Sequence, residues 1–104
     1  MATVEWAIGA QRDLREVVDY IARDSPTYAA SVAERIVLAV DRLRRYPRLG
    51  RVVPEYDTPS LRELVVGNYR IVYRHHRSRV GVLAIVHGSR DMLSRRAAEP
   101  WDFG

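Results

Sequence analysis

Among the 104 residues, those able to do chemistry are seventeen arginines, three histidines and a few glutamates near them. Arginine stays protonated and grips phosphate or carboxylate through a planar fork, whereas lysine can be tuned into a general base. The chain has no lysine, so that route is closed. Histidine titrates near neutral pH, which makes His75, His76 and His87 candidate proton carriers beside the carboxylate of Glu55. The densest grouping lies at 61–74, Leu-Arg-Glu-Leu-Val-Val-Gly-Asn-Tyr-Arg-Ile-Val-Tyr-Arg. Gly67-Asn68 is expected to supply the positive φ values of a tight hairpin turn between two alternating runs. A two-residue loop there sets Val66 opposite Tyr69, Leu64 opposite Ile71 and Arg62 opposite Tyr73. The other face carries Arg70 and Arg74 with Glu63 between them, so any chemistry of the hairpin belongs on that face.

Positioning this hairpin is the task of the remaining elements. Thr3 to Trp6 reads as a short strand. Leu14, Val17, Val18 and Ile21 recur at helical spacing, so a helix runs from about Ala10 to Arg23. Asp24-Ser25-Pro26 restarts the chain as a second helix, with Ser25 or Asp24 capping and Pro26 in the first turn. Val32, Ala33, Ile36, Val37, Val40 and Leu43 form its apolar stripe until Pro47 stops it. Residues 47–60 read as a crossing loop, 75–79 as a polar turn holding His75 and His76, and Val80 to Val86 as a strand covered on both faces. A short helix near 92–98 and a tail with Trp101 and Phe103 complete the order. The expectation is an α+β fold in one domain spanning 1–104. An N-terminal strand joins a small, mainly antiparallel sheet that ends in a three-stranded meander, and an antiparallel helical hairpin packs on one of its faces, leaving the opposite face partly open.

Composition narrows the function. With no cysteine there is neither a disulfide framework nor a thiolate metal site, and no metal or cofactor is expected. No apolar run approaches the length that spans a bilayer, and no leader is legible at the N-terminus, so the expectation is a cytoplasmic protein without a membrane partner. The charge is +4 and uneven: 42–51 holds five arginines and no acid, and 62–79 holds five against Glu63 alone. A basic second half fits an anionic partner, either nucleic acid or an acidic polypeptide.

The same element order, with Asp24-Ser25-Pro26, Tyr46-Pro47-Arg48-Leu49-Gly50-Arg51, Arg62-Glu63-Leu64, Tyr69-Arg70-Ile71-Val72-Tyr73 and His87-Gly88-Ser89-Arg90-Asp91, resembles the RelE/ParE superfamily. These are toxins of bacterial type II toxin–antitoxin modules, also described as plasmid stabilisation proteins. The resemblance implies a cognate antitoxin whose C-terminal segment wraps the toxin, and one of two activities. RelE-type members cut mRNA on the ribosome, while ParE-type members bind and poison DNA gyrase without being enzymes.

Cleavage by a 2′-OH needs a base, cations for the pentavalent phosphate and an acid for the leaving oxygen. Arg70 and Arg90 are the candidates to clamp phosphate, and Glu55, His75, His76 or His87 to move protons. By the resemblance, Glu55 sits where one ribonuclease branch carries its carboxylate base and Arg70 where it carries an essential arginine. The lysine pair of the RelE branch has no counterpart here, and no tyrosine follows the last strand. The His-Gly-x-Arg-Asp ending looks ParE-like. The leading expectation is therefore a gyrase-binding toxin, with Arg48, Arg51, Arg62, Glu63, Arg70 and Arg74 as the surface for antitoxin or target. The alternatives are a ribosome-dependent endoribonuclease and an inactive antitoxin-binding module. A structural reading competes at Arg70, which Glu63 or Glu55 could hold as an ion pair.

Overall fold

The computed structural model describes residues 1–88. In chain order these form β1 (Thr3–Trp6), α1 (Ile8–Ala22), α2 (Pro26–Asp41), a single 3₁₀ turn (Arg42–Arg44), β2 (Arg51–Val52), β3 (Leu61–Val66), β4 (Tyr69–His76) and β5 (Arg79–His87). The expected helix near 92–98, Arg90, Trp101 and Phe103 all lie outside the described residues.

Local chemistry explains the helical boundaries. Pro26 opens α2, and the Ser25 hydroxyl accepts the Tyr28 amide at 3.1 Å, occupying one of the donors every helix start leaves without a partner. The two helices form the expected hairpin. Ala29, Val32, Ile36 and Val40 bury the inner face of α2, and Leu43 continues that face into the 3₁₀ turn. Val37 departs from the expected stripe and is about half exposed, beside an exposed Leu38.

The five strands run β1-β5-β4-β3-β2 across one sheet, with β1 parallel to β5 and every other pair antiparallel. The β3–β4 register is the one read from the sequence, Val66 opposite Tyr69 through Leu61 opposite Arg74. Its turn needs less than expected: Gly67 takes φ 57°, while Asn68 stays out of the left-handed region. The next turn is tighter than 75–79. His75 and His76 belong to β4, and only Arg77 and Ser78 connect to β5, Arg77 at φ 55°.

Both faces of β5 are covered, as its continuous apolar run implied. On the helix side Ile71, Val82 and Ile85 pack with Ala10, Val32, Ile36 and Val40. On the other side Val72, Leu83, Ala84 and Val86 pack with Val53 and Leu61, with Tyr56 lying over them. A bulge between Val72 and Tyr73 lets Leu83 and Ala84 share that second face. So the face expected to be partly open is capped by the stretch at 53–56, within the segment expected to be a plain loop. The same segment holds β2, which pairs with β3 only at Arg62 and Glu63.

Candidate functional site

Four charged side chains converge on the sheet face away from the helices. Arg70 on β4 is only 10% exposed, and its guanidinium is held from two sides. Its Nη1 and Nη2 donate to the two carboxylate oxygens of Glu55 at 2.8 and 2.7 Å, a bidentate fork, while its Nε donates to Glu63 Oε1 at 2.7 Å. Arg51 Nε donates to the other Glu63 oxygen at 2.7 Å. The chain Glu55–Arg70–Glu63–Arg51 therefore alternates in sign and sums to zero.

Each member arrives by a different route. Arg70 and Glu63 project from β4 and β3, diagonal neighbours on one face. Arg51 comes from β2, directly opposite Glu63. Glu55 sits in a surface turn after Val53, whose carbonyl accepts the amides of Tyr56 and Asp57 at 3.1 and 3.0 Å. Asp57 takes φ 49° to close that turn. Glu63 is fully buried, and a buried carboxylate requires such partners, because leaving it unpaired would cost several kcal/mol, about 3–5.

The electrostatics follow from the contacts. The Arg70 fork, aided by the Coulombic pull of Arg51, holds the Glu55 carboxyl well below its ordinary 4.5, at about 2. Pairing with Glu55 and then Glu63 outweighs burial at Arg70 and raises its already high pKa. Both groups are fixed in their charged forms, which suits an ion pair and does not suit proton transfer near neutrality.

The other expected residues separate into groups. Glu55, Glu63, Arg70 and Arg51 are brought together. Arg74 lies on the same face opposite Leu61, but Glu63 is spent on Arg70 and Arg51 rather than lying between Arg70 and Arg74; among the described residues the Arg74 Nε is buried without a hydrogen-bond partner. Arg62 turns to the helix face, where its Nη1 donates to the Gly50 carbonyl at 2.9 Å. Arg48 is exposed. His87 pairs with Tyr69 across β4–β5 and meets its ring edge-on, centroids 5.7 Å apart. Tyr69 packs with the helix-side core, whereas Arg70 is its immediate neighbour in β4. Successive side chains of a strand point to opposite faces, so the sheet itself stands between His87 and Arg70. Arg90 lies outside the described residues. Among the described residues no group of three His, Asp or Glu side chains could hold a metal ion, and no helix is long and apolar enough to cross a membrane.

Two features escaped the sequence. Asp13 is buried under α1, where its Oδ2 accepts the Ile85 amide at 2.9 Å just past the point where β1 stops covering β5. The signal was present: Asp13 stands three residues after Ala10 and four before Val17, on the apolar side of its helix. The second feature is a groove of about 320 Å³ between α2 and β3, lined by Arg35, Leu38, Arg42, Leu49, Leu64 and Val65 among others. Leu38, Leu49 and Val65 are each more than half exposed, and among the described residues β3 has no strand partner beyond Glu63 on that side.

Comparison with known proteins agrees with this architecture. Residues 4–92 match the family described as the ParE toxin of the type II toxin–antitoxin system parDE. Y4kP of Sinorhizobium fredii, which carries a toxin name, is 41% identical over 86 residues, covering 81% of this chain and 85% of its own length. Toxin RelE2 of Caulobacter vibrioides is 40% identical over 91 residues, 86% of this chain and 99% of its own. Among solved structures, the chromosomal ParDE system from P. aeruginosa shares the fold at TM-score 0.69 and 23% identity, covering 84% of this chain and 96% of that one. The RelBE2 toxin–antitoxin complex from Mycobacterium tuberculosis does so at 0.58 and 24%, covering 83% and 96%. The family match spans most of the chain and two relatives pass 40% identity or reach it, so this protein belongs to the ParE toxin family of type II toxin–antitoxin systems.

Proposed function

We propose that this toxin arrests growth by binding and poisoning DNA gyrase, that it is no nuclease, and that a cognate antitoxin neutralises it. One observation carries the reading. The arginine that would clamp a phosphate is closed in a fork by Glu55 and seated on Glu63, and the histidine that would move a proton lies across the sheet from it. A nuclease needs base, cation and acid around one phosphorus atom. Opening Arg70 to substrate would expose two carboxylates to that same phosphate. Binding a protein target asks for no such convergence.

The deciding experiment is a supercoiling assay with purified toxin and gyrase, followed by release of inhibition on adding antitoxin. Inhibition at micromolar toxin is the expected result, and full supercoiling at that concentration overturns the reading. The endoribonuclease alternative draws support from the RelE2 name of the Caulobacter relative. It would use Arg70, Arg90 and Glu55 or His87, and it requires mRNA cleavage during translation that is lost in Arg70→Ala and His87→Ala. An inactive antitoxin-binding module would instead give no growth arrest on induction. Either target puts the protein to work in the cytoplasm, in the plasmid-stabilisation role of such modules.

The antitoxin reading rests on the groove between α2 and β3. Its apolar floor and open strand edge suit a segment that fills a groove or adds a strand. Arg35 and Arg42 at its rim favour an acidic one. Both solved neighbours are named as toxin–antitoxin systems.

A further inference from the structure

We propose that Arg70 and Arg51 form a carboxylate-binding site whose resident ligand is the chain's own Glu55, and that a carboxylate of a partner peptide takes its place by exchange. Only the identity of the partner rests on the antitoxin reading; the site does not.

The two sides of Arg70 are built differently. Its inner side is permanent: Nε at 2.7 Å and Nη2 at 2.5 Å both meet Oε1 of Glu63, a fully buried residue of β3 that strand pairing and Arg51 both fix. Its outer side is provisional. The Glu55 side chain is 33% exposed and comes from the surface turn after Val53 rather than from the sheet. If Glu55 swings away, Arg70 stays oriented by Glu63, and its Nη1 and Nη2 present the same fork to whatever enters. Arg70, Arg51 and Glu63 then sum to +1, so the site calls for one negative charge. A planar monoanion meets the fork bidentately. The fixed charge of Glu63, which bonds the same guanidinium, disfavours a dianionic phosphate. An Asp, Glu or C-terminal carboxylate on an acidic peptide is the matching group. Exchange of like for like leaves the Glu63 ion pairs intact and releases only the Glu55 side chain, while Tyr56 keeps the turn packed on the sheet. It proceeds by competition, since Glu55 stays ionised across the physiological range.

The test uses the full-length toxin and formate as the probe carboxylate. Glu55→Ala should melt below the wild type, and formate should raise its melting temperature saturably by about 4 °C or more relative to chloride at equal ionic strength. The wild type, whose fork is filled, should not respond at those concentrations. In arginine side-chain NMR the Arg70 Nε–H resonance should move with the same titration. Adding Arg51→Gln, a change at an exposed side chain, should raise the half-saturating formate at least about threefold. The proposal is overturned if wild type and variant respond alike, if formate acts no differently from chloride, or if inorganic phosphate stabilises the variant better than formate. Should Glu55→Ala not fold, Glu55→Gln takes its place in the same titration, and the same results support or overturn the site. None of these readouts involves antitoxin, so failure of the site and failure of the antitoxin reading are separable.

Discussion

Arg70 shows how little a residue's type says about its task. A guanidinium on a strand facing away from the helices could clamp a phosphate, yet its donors are occupied by Glu55 and Glu63. The pairing is also a statement about stability. Glu55 has a folded-state pKa of about 2 against an ordinary 4.5, so the folded protein binds the proton more weakly than the unfolded chain. The contribution of this group is complete above about pH 4.5 and is lost as the pH falls from there through about 2. Urea unfolding of the wild type should therefore weaken over that window, and Glu55→Gln should remove part of the slope while lowering stability at neutral pH. Equal slopes for the two proteins would mean that the fork contributes no linkage.

At the scale of elements, the segment from 47 to 60 is held by a clasp rather than by its own periodicity. The Tyr73 hydroxyl, buried on β4, accepts the Gly50 amide at 2.9 Å and donates to the Pro47 carbonyl at 2.8 Å. Burial pushes the Tyr73 phenol up, so it remains a donor at any ordinary pH. A Cβ on Gly50 would lie 2.5 Å from the Glu63 carbonyl oxygen and 2.8 Å from that hydroxyl, too close for either to remain. Gly50→Ala should cost about 1–3 kcal/mol through overpacking. Tyr73→Phe should cost about 1–3 kcal/mol by leaving the Gly50 amide buried without its acceptor. Because both act on one contact, the double variant should fall short of the sum. Additive losses in urea denaturation would show the clasp to be two independent sites.

For the whole molecule, the groove between α2 and β3 is where a partner can be gained or lost without touching the fold. Leu38 and Val65 are 55% and 60% exposed, so Leu38→Arg and Val65→Arg should leave unfolding free energy within about 0.5 kcal/mol of wild type. Each should weaken antitoxin binding at least tenfold, and growth arrest by toxin should then persist when antitoxin is co-expressed. Unchanged affinity in calorimetric titration would move the antitoxin elsewhere on the surface. The charge asymmetry touches this groove through Arg42, the first arginine of the run at 42–51, which lines it beside Arg35.

Short-range pattern was enough for much of the fold. Helical spacing, the Ser25-Pro26 cap, alternation around Gly67-Asn68 and the all-apolar β5 are local signals, and they located both helices, the β3–β4 register and the family resemblance. The two-residue β2 was too short to leave a period, and the covering stretch at 53–56 carries no periodicity at all. Which of several carboxylates Arg70 would take was open in the sequence, because Glu55 is fifteen residues away and meets it only through the turn after Val53. Likewise Tyr69 and Arg70 are neighbours in the chain, yet only the β4–β5 register sends His87 to one face and leaves Arg70 on the other. The sequence alone determined the two helices, the longer strands and the family resemblance, since these rest on patterns among near neighbours. The partners of the charged residues were decided by tertiary structure, because ion pairs form between groups that packing, not spacing, brings within reach.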